Sequence, residues 1–340
     1  MGSAGFAQAI NAPYRYTVRQ GDTLLGLARQ YMTSEAAYRT VQDLNKVRDP
    51  RNLPTGSILL VPGALLRTEP IVGQIASFRG AVTVDGRIAA LGAKVLQGMR
   101  VETGPNAFVT LQLPDGSAIS LPSQSRIYVE KLRRVLLTGS LDRSFRLEAG
   151  RSQSTVTPIR DPSSNFRVTT PLSVSAVRGT NFRVALDASG NRALTEVVGG
   201  TVGVAPDADK PEKSIPKEFG VAASPEGVGD PVPLLPRPQL VSIERTKDGA
   251  VAVTARPVDG AQKYRTQLAT DVVFHDIFED VVNDAPAATF ALSGDISFFV
   301  RLTAIAPSGM EGLPGTYALG RTAPLESSVD VPIARERRRD

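Results

Sequence analysis

The chain has 340 residues, of which 41% are apolar and 21% charged, and its formal net charge is +5. That is too long for one ordinary domain and apolar enough for two or three cores, while the mild, interspersed charge leaves no nucleic-acid footprint. Cysteine is absent, which excludes disulfides, thiol nucleophiles and thiolate metal sites, and no run of about 18 apolar residues exists to cross a membrane as a helix.

Residues 1–13 read as a flexible N-terminus. Gly5-Phe6-Ala7-Gln8-Ala9 ends in the A-x-A pattern of a secretory signal, without a basic segment or long apolar stretch before it. It is either a signal remnant or a plain flexible end. Residues 14–62 read β-α-α-β. Tyr14 to Val18 is a short strand, and Gly21-Asp22-Thr23 is a turn in which Asp22 or Thr23 caps the next helix. Leu24, Leu27, Ala28 and Tyr31 fall on one helical face. Ala37, Val41 and Leu44 form a second stripe, and Ser57 to Val61 is the returning strand.

Residues 68–228 alternate apolar and polar with no long helical pattern. Val109, Leu111 and Leu113 run into Pro114-Asp115-Gly116, a hairpin signal. The alternation continues through Phe145 and Leu147, Phe166 and Val168, and Phe182, Val184 and Leu186. Residues 229–238, rich in proline, read as an extended linker. Residues 239–322 resume strands at a spacing suited to a small β-sandwich. Residues 323–340 lack apolar pattern and end in an arginine-rich run, which reads as a disordered tail. The fold class expected is therefore mainly β and multidomain.

Three resemblances sharpen this. Tyr16-Thr17-Val18-Arg19-Gln20-Gly21-Asp22-Thr23-Leu24, Asn45 and Leu53-Pro54-Thr55-Gly56-Ser57-Ile58-Leu59-Leu60-Val61-Pro62 make residues 14–62 resemble a LysM module. Leu25 stands where an aromatic is common, and the middle is long. Thr170-Pro171, then Val177-Arg178-Gly179-Thr180-Asn181-Phe182-Arg183-Val184, make residues 68–228 similar to the FecR domain, which implies an all-β solenoid or roll. The helical segment and membrane helix that precede this domain in sigma-factor regulators are not found ahead of it. Residues 239–322 resemble fibronectin type III through Pro257 to Arg265 and Phe299 to Ile305.

The LysM resemblance implies peptidoglycan glycan strands as ligand. It places Gly21, Asp22, Thr23 and Leu24 with Asn52, Leu53, Pro54 and Thr55 at the groove. Gly21 admits close backbone approach, and Leu24 and Leu53 are expected to offer apolar surface to acetyl methyls. Arg178, Gly179, Thr180 and Phe182 are read as structural, with a turn at Gly179 and the arginine on nearby carbonyls. Catalysis, a metal and a cofactor are not expected. His275 is the sole histidine, no G-x-S-x-G elbow supports a triad, no phosphate-cradling loop is present, and Glu102 and Glu148 lie apart in strand patterns. The expected protein is a non-catalytic scaffold of the periplasm or cell envelope that docks a protein partner. The alternatives are a FecR-type signalling protein and an accessory subunit of a wall hydrolase or envelope machine.

Overall fold

The computed structural model describes residues 13–246, 250–292 and 297–318. The expected flexible N-terminus, apart from Pro13, and the expected basic tail lie outside them. The chain divides into two compact units, Met1–Val232 and Pro233–Asp340.

The first unit begins with strand β1 (Tyr14–Thr17), helix α1 (Leu24–Tyr31), helix α2 (Ala37–Asn45) and strand β2 (Ile58–Val61). The Thr23 hydroxyl accepts from Gly26 N–H at 3.0 Å and so caps α1. Helix α2 stops at Lys46, whose φ of 52° is left-handed. Strands β1 and β2 pair antiparallel from Tyr14 with Val61 to Thr17 with Ile58. Asn45 ties α2 to β2 in both directions: its amide donates to Leu60 O at 2.8 Å, and Leu60 N–H donates to its carbonyl oxygen at 2.7 Å.

A module of about 50 residues is near the lower limit for an independent core. Here the core is completed from outside. Tyr16, Leu24, Leu27, Met32, Val41 and Val61 cluster with Val135 and Leu137 from the following β-domain. Backbone bonds reinforce the junction, with Arg67 N–H on Tyr31 O at 2.7 Å and Leu136 N–H on Arg67 O at 3.1 Å. Residues 14–62 are thus not a bead on a flexible string.

From Thr68 onward the strands close into a barrel with two walls. One 15-residue strand, Leu141–Thr155, belongs to both. Its first part pairs with Arg126–Val135 and, in parallel, with Asn165–Thr169. From Gly150 on it pairs with Asn181–Leu186 and Ala118–Leu121. Gly150 has φ 73°, and a Cβ there would lie 2.5 Å from Gln124 O, so the crossover admits only glycine. Asp115-Gly116 turns the hairpin between Phe108–Gln112 and Ala118–Leu121, where the sequence placed it. Phe145, Phe166 and Phe182 stack in the interior with centroids 5.4 and 6.3 Å apart.

The residues expected as a linker, 229–238, include the division between the two units and are held at both ends. Gly229 N–H donates to Ala222 O at 2.9 Å, which ties that end to the barrel. Leu234 is buried, and within the second unit Leu313 N–H donates to Leu235 O at 2.9 Å. The Tyr317 hydroxyl donates to Pro238 O at 2.6 Å. Proline removes donors but leaves carbonyls, and these carbonyls are taken up. The second unit itself is two sheets, of three strands (Leu240–Arg245, Val251–Ala255, Ala287–Phe290) and four (Ile277–Asn283, Lys263–Ala269, Phe299–Ile305, Gly315–Ala318). Val251, Val253, Leu268, Phe298, Val300 and Tyr317 fill its core.

Gly179 is the signature position most open to test. Its φ is 110°, and a Cβ would sit 2.6 Å from Pro158 Cα. Gly179→Val is expected to destabilise the first unit by at least roughly 1–3 kcal/mol, the strain of such a conformation alone. The overlap with Pro158 adds to it. Thermal denaturation followed by circular dichroism measures this, and an unchanged transition would show that the conformation is dispensable.

Candidate functional site

The pairing of β1 with β2 brings two loops to one end of the N-terminal module. Val18 N–H donates to Ser57 O at 2.8 Å and Gly56 N–H to Val18 O at 2.9 Å. Leu24 N–H donates to Pro50 O at 2.9 Å, which stitches the start of α1 to the second loop. Gly21 has φ 87° with open space beside it, so the loop backbone is reachable by a ligand.

The side chains divide into two kinds. Asp22 is structural: its carboxylate accepts from Tyr16 O–H at 2.8 Å and from Arg19 N–H at 2.7 Å, closing the turn. Burial, then the hydrogen bond to Asp22, pushes the Tyr16 phenol up to about 12, so it stays a donor at physiological pH. Thr23 is occupied as the helix cap. Gly21, Asn52, Pro54 and Thr55 are exposed at the loop surface.

Leu24 and Leu53 correct the expectation that they offer apolar surface. They are 0% and 6% exposed and lie in the module's core. The reason is the helical phase: Leu24 shares the inward face with Leu27 and Ala28. Exposed apolar area lies instead at Leu25, next to Leu24, and at Ile58 at the start of β2. Leu25 is 37% exposed and Ile58 47% exposed. A register of one residue separates the two readings, and alternation around Leu24-Leu25 is silent in the sequence because both are leucine.

The FecR-type signature residues are brought together, as structure rather than as a site. Arg178 donates to Pro162 O at 2.9 Å. The Thr180 hydroxyl donates to Thr201 O at 3.2 Å, and Phe182 is fully buried. Nearby, Glu196 is forked between Arg183 at 2.7 Å and Arg151 at 3.0 Å. That buried cluster carried no sequence signal, since its members lie on three strands.

No group of three or more metal-ligating side chains occurs among the described residues. None of their helices is long and apolar enough to cross a membrane. Glu148 pairs with Arg100 at 3.0 Å on the outer face of the barrel, and Arg126 holds Glu102 at 3.7 Å. His275 sits in a loop that Asp271 braces, accepting from His275 N–H at 3.1 Å and from Asp276 N–H at 2.7 Å.

With this geometry in hand, comparison with known proteins is informative for parts of the chain. The LysM domain model matches residues 16–62, and the FecR protein model matches residues 99–203. Neither reaches the second unit. No curated protein matches the sequence. Among solved structures, a candidate anti-sigma factor from Parabacteroides distasonis ATCC 8503 aligns at 19% identity with a TM-score of 0.31, covering 39% of this chain and 57% of that one. The alignment thus spans little more than half of that protein. A beta-1,2-glucanase from Parabacteroides distasonis aligns at 13% identity and a TM-score of 0.22, covering 76% of this chain and 37% of that one. Scores this low carry no argument.

Two outcomes follow from the burial pattern. Leu24→Ala should cost about 2–5 kcal/mol, while Leu25→Ala should stay within about 0.5 kcal/mol. Urea denaturation of the full chain separates them, and equal costs would contradict the helical phase described.

His275 gives a pH effect of definite sign. Burial, joined by the Arg301 charge, lowers its pKa, with the Asp271 carboxylate opposing. The unfolded chain therefore binds more protons below the ordinary value near 6.5, and stability falls as pH drops through that value toward the folded one. The second unit should melt at a lower temperature at pH 5.5 than at pH 7.5, and His275→Gln should shrink the difference. Calorimetry of both proteins at both pH values checks this.

Proposed function

We propose that this chain is a non-catalytic protein of the bacterial cell envelope that holds peptidoglycan through its N-terminal module. The observation that carries the reading is the LysM match over 16–62 together with two exposed loops gathered at one end of the module. LysM domains bind glycans such as peptidoglycan. N-acetylated sugars are recognised through backbone donors and acceptors at a shallow groove, with apolar surface against methyl and ring C–H groups. Gly21, Asn52, Pro54 and Thr55 supply the first, and Leu25, Pro54 and Ile58 supply the second. A modest single-site affinity is offset when several molecules engage one polymer.

In this reading the barrel and the sandwich dock a protein partner in the periplasm, after export by a signal whose residues lie outside the described part. The sandwich is fibronectin type III-like; its division into sheets of three and four strands supports that assignment. The signalling alternative, a relative of FecR-type sigma-factor regulators, is favoured by the FecR match over 99–203. Release of a sigma factor on stimulation, abolished by deleting the chain's gene, would select it over scaffolding.

Sedimentation with insoluble peptidoglycan tests the main reading. Residues 14–62 carry seven Lys or Arg against four Asp or Glu, so an ionic mode must be separated from groove recognition. Groove binding should persist at about 0.5 M salt, where screening is far shorter than the ~8 Å of physiological buffer. Leu25→Asp with Pro54→Asp, both exposed and so compatible with folding, should weaken it about tenfold or more, about 1.4 kcal/mol. No soluble muropeptides should appear above a buffer blank. Binding lost in salt yet retained by the double variant would assign contact to the arginines, and released muropeptides would overturn the non-catalytic reading.

A further inference from the structure

At the end of the N-terminal module opposite the glycan loops, a groove of about 710 Å³ opens over the outer face of the barrel. Tyr14, Pro62 and Gly63 form one wall. The floor runs across strands Asn165–Thr169, Val174–Val177 and Thr201–Ala205, where Ala176, Gly203 and Ala205 leave it nearly free of side chains. The Glu212 carboxylate lies over Gly203, where a Cβ would displace it. The volume is within the range of ligand sites. The β1 strand separates this groove from the glycan loops by three residue steps, about 10 Å.

Three groups at the inner end are poorly satisfied by the protein. Arg167 is 7% exposed, yet among the described residues its guanidinium makes no hydrogen bond and no ion pair. Burial lowers its pKa, and Asp142 and Tyr14 only partly offset that. Five donors on a planar fork that is largely buried and meets no protein acceptor call for one from a ligand. The Tyr14 hydroxyl, in the same wall, also has no partner among the described residues. Burial, then the Asp142 charge, pushes its pKa up to about 12, so it remains a donor. Asp142 is saturated on one side only. Its Oδ2 takes Arg133 at 2.9 Å, while its buried Oδ1 has no hydrogen bond.

Two empty donors beside one empty acceptor define a ligand with a planar anion and an N–H close to it. A peptide chain end has both. We propose that this groove binds the C-terminal carboxylate of a short peptide, with Arg167 and Tyr14 on the carboxylate and Asp142 Oδ1 on the terminal amide N–H. Arginine matches a carboxylate in bidentate geometry. Lys131, Arg133 and Arg167 against Asp142 leave a surplus of positive charge at this end. A phosphate dianion suits the site less well, because Asp142, Asp207 and Glu212 all line the groove. The small floor selects peptides ending in small residues. Such ends occur on wall stem peptides and on protein C-termini alike.

The test uses the full chain and fluorescein-labelled Gly-Ala-Ala-Ala as free acid and as amide, with a D-alanyl-D-alanine-ended peptide acid as a second probe. Fluorescence anisotropy should show an acid-ended peptide binding at least about tenfold more tightly than the amide. Preference for the D-ended acid assigns the site to wall peptides, preference for the L-ended acid assigns it to protein ends, and equal binding marks a general carboxylate site. Arg167→Gln should remove about tenfold or more of the affinity. Tyr14→Phe, which deletes one hydroxyl, should remove about threefold or more and serves if the arginine variant fails to fold. Sedimentation by Tyr14→Phe with insoluble chitin, an N-acetylated glycan that carries no peptide, should stay at the wild-type level, so failure of this site and failure of the glycan loops read out separately. Equal affinity for acid and amide overturns the proposal. So does absence of binding by both acids at about 1 mM, or full affinity in Tyr14→Phe.

Discussion

The insertion of Val135 and Leu137 into the N-terminal core is the contact on which the arrangement of the first unit depends. Each such side chain contributes about 1.5–3 kcal/mol when fully buried, a large share of what so small a module can supply for itself. It also fixes orientation. With the hairpin around 135–140 docked against α1 and β2, Tyr14 is held over the barrel face that carries Asp142 and Arg167. The two loops at the far end of β1 and β2 are left facing away from that junction. One apolar contact therefore sets the exposed loops of the module and the groove at Tyr14 at opposite ends of β1.

The barrel has a corresponding point of control at Gly150. A 15-residue strand cannot serve two walls without a sharp change of direction, and strands that switch sheets do so at bends. The left-handed φ there, with Gln124 and Ser125 occupying the place a Cβ would take, leaves no room for a side chain. Phe145 and Phe166 from before the bend meet Phe182 from beyond it in the interior. Charge is handled mostly outside, where Arg100, Arg126 and Arg146 alternate with Glu130 and Glu148 along the wall. Arg143 is one exception, beside the buried Glu196 cluster. It is buried against Asp115 and over the Phe166 ring at 5.5 Å, and closes one end of the barrel.

Several titratable groups are taken up as ion pairs within strands or as loop braces, as with Asp22 and Asp271. What stays open is backbone at Gly21, apolar surface at Leu25 and Ile58, and the donors of Arg167 and Tyr14. Rigid linkage of the two ends would let a glycan contact and a peptide contact act together, at an effective concentration set by the fold.

By itself the sequence determined the local elements, because those depend on neighbours along the chain. The Thr23 cap, the Asp115-Gly116 hairpin, the positive φ of Gly179 and the two match regions could all be read from residue type and spacing. The sequence offered Asp22 or Thr23 as the helix cap; Thr23 takes that role, and the actual partner of Asp22, Tyr16 six residues away, was not legible. Tertiary structure decided the rest. Which of Leu24 and Leu25 faces solvent depends on helical phase against a core that two residues more than a hundred positions away complete. The lack of donors in the proline-rich segment around 234–238 is a sequence property, whereas the use of its carbonyls by Leu313 and Tyr317 is not. Arg167 was one alternating arginine among many. Only the folding of β1 over that wall buried it without an acceptor, and burial and partnership are properties of the fold.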